Sequence, residues 1–172
     1  MIRSFVLVMW LPALLLAQEG LFLRTEDAPA AVFPSADRFE SGVVSAPAAA
    51  TAGSSVADTE FVVARAYRGD RLLGTAIIVD EIGKHRPITF VVGVRPDGQI
   101  ADVAVVAYRE AYGGEVREDR FLAQYRDKRR GDDVRPGHGI MNVAGATLSV
   151  EAASRAVRKA QSVAAAVRAV PD

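Results

Sequence analysis

The chain is predicted to fold as one α+β domain, an antiparallel sheet packed against helices. Two β-branched runs, Ile88 to Val94 and Ile100 to Ala107, flank Arg95-Pro96-Asp97-Gly98-Gln99. Pro-Asp-Gly between such runs is strong turn chemistry. Upstream, Phe61-Val62-Val63 and Leu72-Leu73 flank Arg68-Gly69-Asp70, a second hairpin signal leading into the apolar strand Thr75 to Val79. Near the C-terminus Val150, Ala153, Val157, Ala160, Ala164 and Val167 recur every three or four residues, the period of one long amphipathic helix.

The first element is a targeting signal. Arg3 precedes the apolar run Phe5 to Ala17, Pro12 interrupts that run, and Gln18-Glu19-Gly20 ends it. This is the layout of a secretory signal peptide, too short to span a bilayer. Residues 1–17 are read as that signal, with cleavage after Ala17 and a working domain outside the cytoplasm, periplasmic or otherwise exported. An uncleaved interfacial anchor reaching Leu21-Phe22-Leu23 is the alternative.

Residues 18–58 form an N-terminal segment and linker. Thr25-Glu26-Asp27 resembles a helix N-cap, Pro29 falls within the short helix, and Phe33-Pro34 stops it. Ser41 to Asp58 is Ala, Ser, Gly, Thr and Pro with hardly a large apolar side chain, which reads as a flexible linker or surface excursion. The domain is expected over residues 59–172. After the meander, Arg117 to Lys128 changes period, with Phe121, Leu122 and Tyr125 on one helical face. Ser149 is the expected N-cap of the last helix, and Arg155, Arg158, Lys159 and Arg168 are expected on its solvated face.

Composition excludes several functions. The chain has 172 residues, enough for one domain with a real core. Lys plus Arg number 21 and Asp plus Glu 21, so net charge does not favour nucleic acid or an anionic membrane surface. No cysteine is present, which excludes disulfides, thiolate metal or iron–sulfur sites and c-type haem attachment. There is no nucleophile elbow, Walker loop or His-Glu-x-x-His, and Asn142 stands where a third glycine would follow Gly137 and Gly139. His85 and His138 are far apart and read as loop residues.

The informative stretch is Val143-Ala144-Gly145-Ala146-Thr147-Leu148-Ser149, directly before the long helix. Small residues let the backbone approach a ligand, Gly145 permits unusual dihedrals, and a helix start offers unpaired N–H groups to a phosphate. The Thr147 hydroxyl could form a phosphoester there. Read as a tripeptide alone, Gly-Ala-Thr before a helix is usually only an N-terminal loop.

At this motif the chain resembles the FMN-binding domain of the NqrC and RnfG subunits of membrane redox complexes and of NosR-like proteins. The family motif is Ser/Thr-Gly-Ala-Thr, and Thr147 matches its last residue. Val32 to Asp37, Leu73-Gly74, the Val92-Gly93-Val94-x-Pro-Asp-Gly hairpin and Arg109-Glu110 follow in the family's order. Tyr108 to Val116 and Arg120 to Gln124 are similar to small stand-alone periplasmic members.

The resemblance implies FMN as cofactor, attached through its phosphate to Thr147 by an exported flavin transferase. It implies Ala144, Gly145, Ala146, Leu148 and Ser149 around the phosphate, and Arg109, Glu110, Tyr112, Gly113 and Glu115 near the isoalloxazine. Arg109 would face the N1–C2 edge, Tyr108 or Tyr112 would stack, and His138 is a minor candidate for a flavin or phosphate contact. Lys128-Arg129-Arg130 is read as a solvated turn. Met141 and Ala144 depart from the transferase's recognition pattern, which has Asp and Ser or Thr at those places. The implied role is electron transfer with an unnamed redox partner, membrane-bound partners included. A flavin-free binding or scaffold module of the same fold is the alternative.

Overall fold

A computed structural model describes residues 20–168; the signal run and its cleavage site lie outside the described residues. The strands are β1 (Arg38–Ser45), β2 (Glu60–Arg68), β3 (Arg71–Ile82), β4 (Pro87–Val94) and β5 (Ile100–Tyr108). Each pairs antiparallel with the next, giving one meander in the order β1-β2-β3-β4-β5. Both hairpins fall where turn chemistry put them. In the β4–β5 turn the Arg95 N–H donates to the Gln99 carbonyl at 2.8 Å.

Helices α1 (Ala28–Val32), α2 (Asp119–Leu122) and α3 (Thr147–Arg168) complete the α+β fold. Successive side chains of a strand face opposite sides. On β3, Ile77 and Val79 join the core under α3, while Ala76 and Ile78 pack with Val32 and Phe33 at α1. In α3, Val150, Ala153, Val157 and Ala160 are fully buried, Ala164 is buried, Val167 is half-buried, and Arg158 and Arg168 are exposed.

Four local readings are corrected. Ser41 to Asp58 is not simply a linker: Ser41 to Ser45 continue β1, and Ala48–Thr51 makes a 3-10 turn. The sheet therefore begins upstream of Thr59. β1 is an edge strand whose side chains stay largely exposed, so backbone pairing carries it and no apolar alternation announces it. Helix α1 starts at Ala28 with Asp27 at its cap and Pro29 in the first turn, where a missing N–H costs no helical bond.

Arg117 to Lys128 is not one helix but α2 between the 3-10 turns Gly114–Arg117 and Ala123–Tyr125. The chain there is drawn into pairing with β5, where Asp127 N–H donates to Ile100 O at 2.9 Å and Ile100 N–H to Lys128 O at 3.0 Å. Phe121, Leu122 and Tyr125 are nonetheless buried, as their spacing predicts.

The fourth correction concerns the basic face of α3. Lys159 is buried, and its Nζ donates to Asp58 Oδ2 and the Asp80 carbonyl, each at 3.1 Å. Arg155 is half-buried and reaches Glu81 Oε2 at 3.1 Å and the Ile82 carbonyl at 2.6 Å. Glu81 is fully buried on the α3 side of β3 and also accepts from the hydroxyls of Ser54 and Ser55 and the Ser55 N–H. Burial alone would raise its pKa, but these donors together hold it below the usual carboxylate value.

Strand β5 carries the feature that positions the site. Thr89 pairs with Ala107 but Phe90 with Val105, and Gly93 with Asp102 but Val94 with Ile100. Val106 and Ala101 are thus bulged, and each extra residue inverts the alternation. Consequently Ile100, Val103, Val105 and Tyr108 all join the α3-side core. The open edge of β5 is covered by the start of the described chain, with Phe22 N–H donating to Val106 O at 2.8 Å and Tyr108 N–H to Gly20 O at 2.7 Å.

Candidate functional site

Tyr108, brought to the α3 side by the Val106 bulge, joins the end of β5 to the start of α3. Its hydroxyl lies 3.0 Å from Ser149 Oγ and donates to the Tyr112 carbonyl. Ser149 is therefore not the N-cap: it is the third residue of α3, buried, with its hydroxyl committed to Tyr108. Burial raises the Tyr108 pKa more than the Ser149 bond lowers it. Gly113 has φ +81°, and a Cβ there would stand 2.9 Å from Ser149 Oγ and 3.1 Å from Tyr108 Oη. Only glycine allows the 109–114 loop this close to α3.

The start of α3 is open. Ala146 N–H donates to Val143 O at 3.0 Å, and Val150 N–H to Ala146 O at 2.9 Å. Between them the N–H groups of Thr147, Leu148 and Ser149 have no partner among the described residues, as at any helix start without a cap. Thr147 is exposed, and its Oγ1 accepts from Asn142 Nδ2 at 3.1 Å. The hydroxyl is thus accessible, on the first helical residue rather than in the preceding loop.

Across from it lies the turn between β3 and β4. Glu110, just beyond β5, accepts the His85 N–H at 2.5 Å and the Arg86 N–H at 2.9 Å. Desolvation would raise its pKa, but the backbone donors of this turn keep the carboxylate below its ordinary value. Lys84, His85, Glu110, Ala111, Tyr112 and Gly145 to Ser149 line a cavity of about 350 Å³. A neighbouring hollow of about 620 Å³ shares Glu110, Ala111 and Tyr112 and adds Phe22, Tyr108 and Arg117. There the Arg117 guanidinium stands 4.6 Å from the Phe22 ring centroid and 5.4 Å from that of Tyr108.

The structure thus gathers Gly145, Ala146, Thr147, Leu148, Ser149, Glu110 and Tyr112 around one cavity. Ala144 is exposed and outside its lining. Arg109 is also outside: its Nη1 donates to Thr89 Oγ1 at 3.1 Å and Pro87 O at 3.3 Å. Thr89 alternates with Ile88 and Phe90, which face α3, so Arg109 is directed to the opposite side of the sheet. Gly113 and Glu115 line the neighbouring hollow, and exposed His138 lines neither. Arg130 of the supposed solvated turn borders a separate cavity with Arg135, Arg155 and Arg158. Sequence reasoning missed Lys84, His85 and Arg117, because no motif ties them to Thr147.

Residues 83–162 match the family model of the FMN-binding domain. This stretch carries the chain's similarity to the FMN-binding domain. The match opens at the turn carrying Lys84 and His85 and runs into α3. The chain is also similar to one component of the proton-translocating ferredoxin:NAD(+) oxidoreductase complex of Clostridium ljungdahlii, with 26% identity over 102 residues. It spans 55% of that relative's length, and the similarity covers 55% of this chain.

FMN is the cofactor of such a domain, and the residues present fit it. The paired hollows are of the size that holds small ligands. Unpartnered N–H groups and Lys84 suit a phosphate, while Tyr112, 81% exposed at the shared wall, offers an aromatic face.

Proposed function

We propose that the domain is an exported electron carrier whose FMN is joined through its phosphate to Thr147 Oγ1. The observation that carries this reading is the exposed Thr147 hydroxyl at the first turn of α3, inside the cavity and beside unpartnered N–H groups. A flavin transferase makes the link: a bond forms between Oγ1 and phosphorus, the hydroxyl proton is lost, and the donor's leaving group departs with its own P–O bonding pair. The new charge meets the positive end of α3.

When bound, FMN supplies reversible electron uptake. The chain's residues do the holding. Thr147, Leu148 and Ser149 N–H groups receive phosphate oxygens, the Tyr108–Ser149 bond fixes the helix start, and Tyr112 offers its ring at the cavity mouth. The relative's name, which places it in a ferredoxin:NAD(+) oxidoreductase complex, supports service between a donor and an acceptor of electrons, with a redox partner docking where the hollows open. The basic residue and apolar run at the N-terminus support export.

The test is the intact mass of the chain co-expressed with an exported flavin transferase. It should gain one FMN through a phosphoester and stay yellow and fluorescent after denaturation, and Thr147→Ala should abolish both. Met141→Asp with Ala144→Ser should raise occupancy. If wild type and this double variant both stay colourless beside a labelled control, the covalent reading fails and a flavin-free docking module replaces it.

A further inference from the structure

We propose that the β3–β4 turn forms a second wall of the phosphate site, with Lys84 as its cation and Glu110 as the positioning residue that holds the turn in place. The inference rests on the reading that the FMN phosphate sits at Thr147.

The charge at the cavity is incomplete without Lys84. A phosphate joined to Thr147 keeps a full negative charge, whereas a helix start offers roughly half an elementary charge and screens poorly by itself. Among the other lining residues, the Glu110 carboxylate is negative and Leu148, Ala146 and Gly145 carry no charge. Lys84 is exposed and makes no ion pair or side-chain hydrogen bond among the described residues. It is the cavity's ammonium, free to swing toward an oxygen that the helix start leaves uncovered. His85 stands beside it on the same wall.

Glu110 explains why the turn faces Thr147 at all. Its Oε1 accepts both the His85 and Arg86 N–H groups, so a carboxylate that lines the cavity also ties down the backbone of the turn. The fit is close: a Cβ at Gly83 would stand 2.9 Å from Glu110 Oε1 and 3.0 Å from Ile88 Cδ1. Ile88 pairs with Tyr108, two residues before Glu110, and the Tyr108 hydroxyl holds Ser149. One chain of contacts thus sets the turn and the helix start on either side of the cavity. Glu110 thus acts on the site through the turn that it holds.

The experiment titrates inorganic phosphate into the flavin-free full-length chain and follows amide resonances, with amide hydrogen exchange read in parallel. Phosphate should move the amides of Lys84 to Arg86 as well as those of Thr147 to Ser149. Lys84→Ala should weaken phosphate binding by about three- to tenfold, the range for a charge-assisted bond partly screened by water. Glu110→Ala should speed exchange at His85 and Arg86 and weaken phosphate to a similar degree, and Glu110→Gln, which keeps the acceptor oxygen, should restore both.

The proposal is overturned if phosphate moves only the helix-start amides, if Lys84→Ala binds as wild type does, or if Glu110→Ala leaves exchange at His85 and Arg86 unchanged. Intact mass after co-expression with the transferase separates the two readings. A chain that gains no FMN but binds phosphate between both walls keeps this proposal and loses the Thr147 linkage. A chain that gains FMN on Thr147 yet shows no response to Lys84→Ala does the reverse.

Discussion

Tyr125 shows how one side chain couples packing to pH. Its ring meets Phe121 edge-on at 5.9 Å, and its hydroxyl lies 2.8 Å from Ser154 Oγ. Burial pushes its pKa up to about 12, against the smaller opposing pull of the Ser154 bond. The folded chain therefore holds the neutral phenol where the unfolded chain ionises. Stability is complete below the unfolded value near 10 and is lost as pH rises toward 12, by about 2 to 3 kcal/mol. Urea unfolding across that range should show the loss in wild type, and Tyr125→Phe should flatten it while costing about 1 kcal/mol at neutral pH through the lost Ser154 bond.

At the scale of elements, the joint between β5 and α3 governs the site. The Val106 bulge turns Tyr108 toward α3 and Arg109 away from it, so one extra residue in one strand decides which of two neighbours reaches the hollow beside the helix start. Gly113 lets the following loop seat against Ser149 and Ala146. Gly113→Ala combines a left-handed φ with close approach to these groups, and should cost about 1 to 3 kcal/mol in chemical denaturation. Faster amide exchange at Val150, the first hydrogen-bonded amide of α3, should accompany it. A wild-type midpoint and unchanged exchange would show that the loop can seat without glycine.

Across the whole molecule, α3 is fastened to the sheet by charge as well as by its apolar stripe. Glu81 from β3, Arg155 and Lys159 from α3, and Asp58 with Ser54 and Ser55 from the segment before β2 form one network across the layers. Removing one partner from a buried ion network leaves the others uncompensated, so Lys159→Met should destabilise by about 3 to 5 kcal/mol. Because the Glu81 pKa is depressed on folding, its contribution is complete above the unfolded carboxylate value and is lost as pH falls through the folded one. The acid limb of a stability-against-pH curve should carry this loss in wild type, and Glu81→Gln should flatten that limb.

The sequence by itself determined what depends on neighbours along the chain. Pro-Asp-Gly between β-branched runs sets the β4–β5 hairpin, Arg-Gly-Asp sets β2–β3, and the three-to-four spacing from Val150 to Val167 sets α3 and its buried stripe. The Gly145-Ala146-Thr147 stretch marks the open start of that helix for the same reason, since small residues and helix-start donors are properties of a short segment. Tertiary structure alone decided what depends on partners far away. β1 exists because β2 offers it a backbone edge, and Lys159 and Arg155 lie inward because Glu81 waits on the facing strand. Arg109 leaves the site because a bulge resets the register. Lys84 and His85 share a cavity with Thr147 because Glu110 and Tyr108 hold two segments distant in sequence at one end of the sheet. Turn chemistry and helical period are short-range energies, whereas register and charge pairing acquire their value only once the layers have closed.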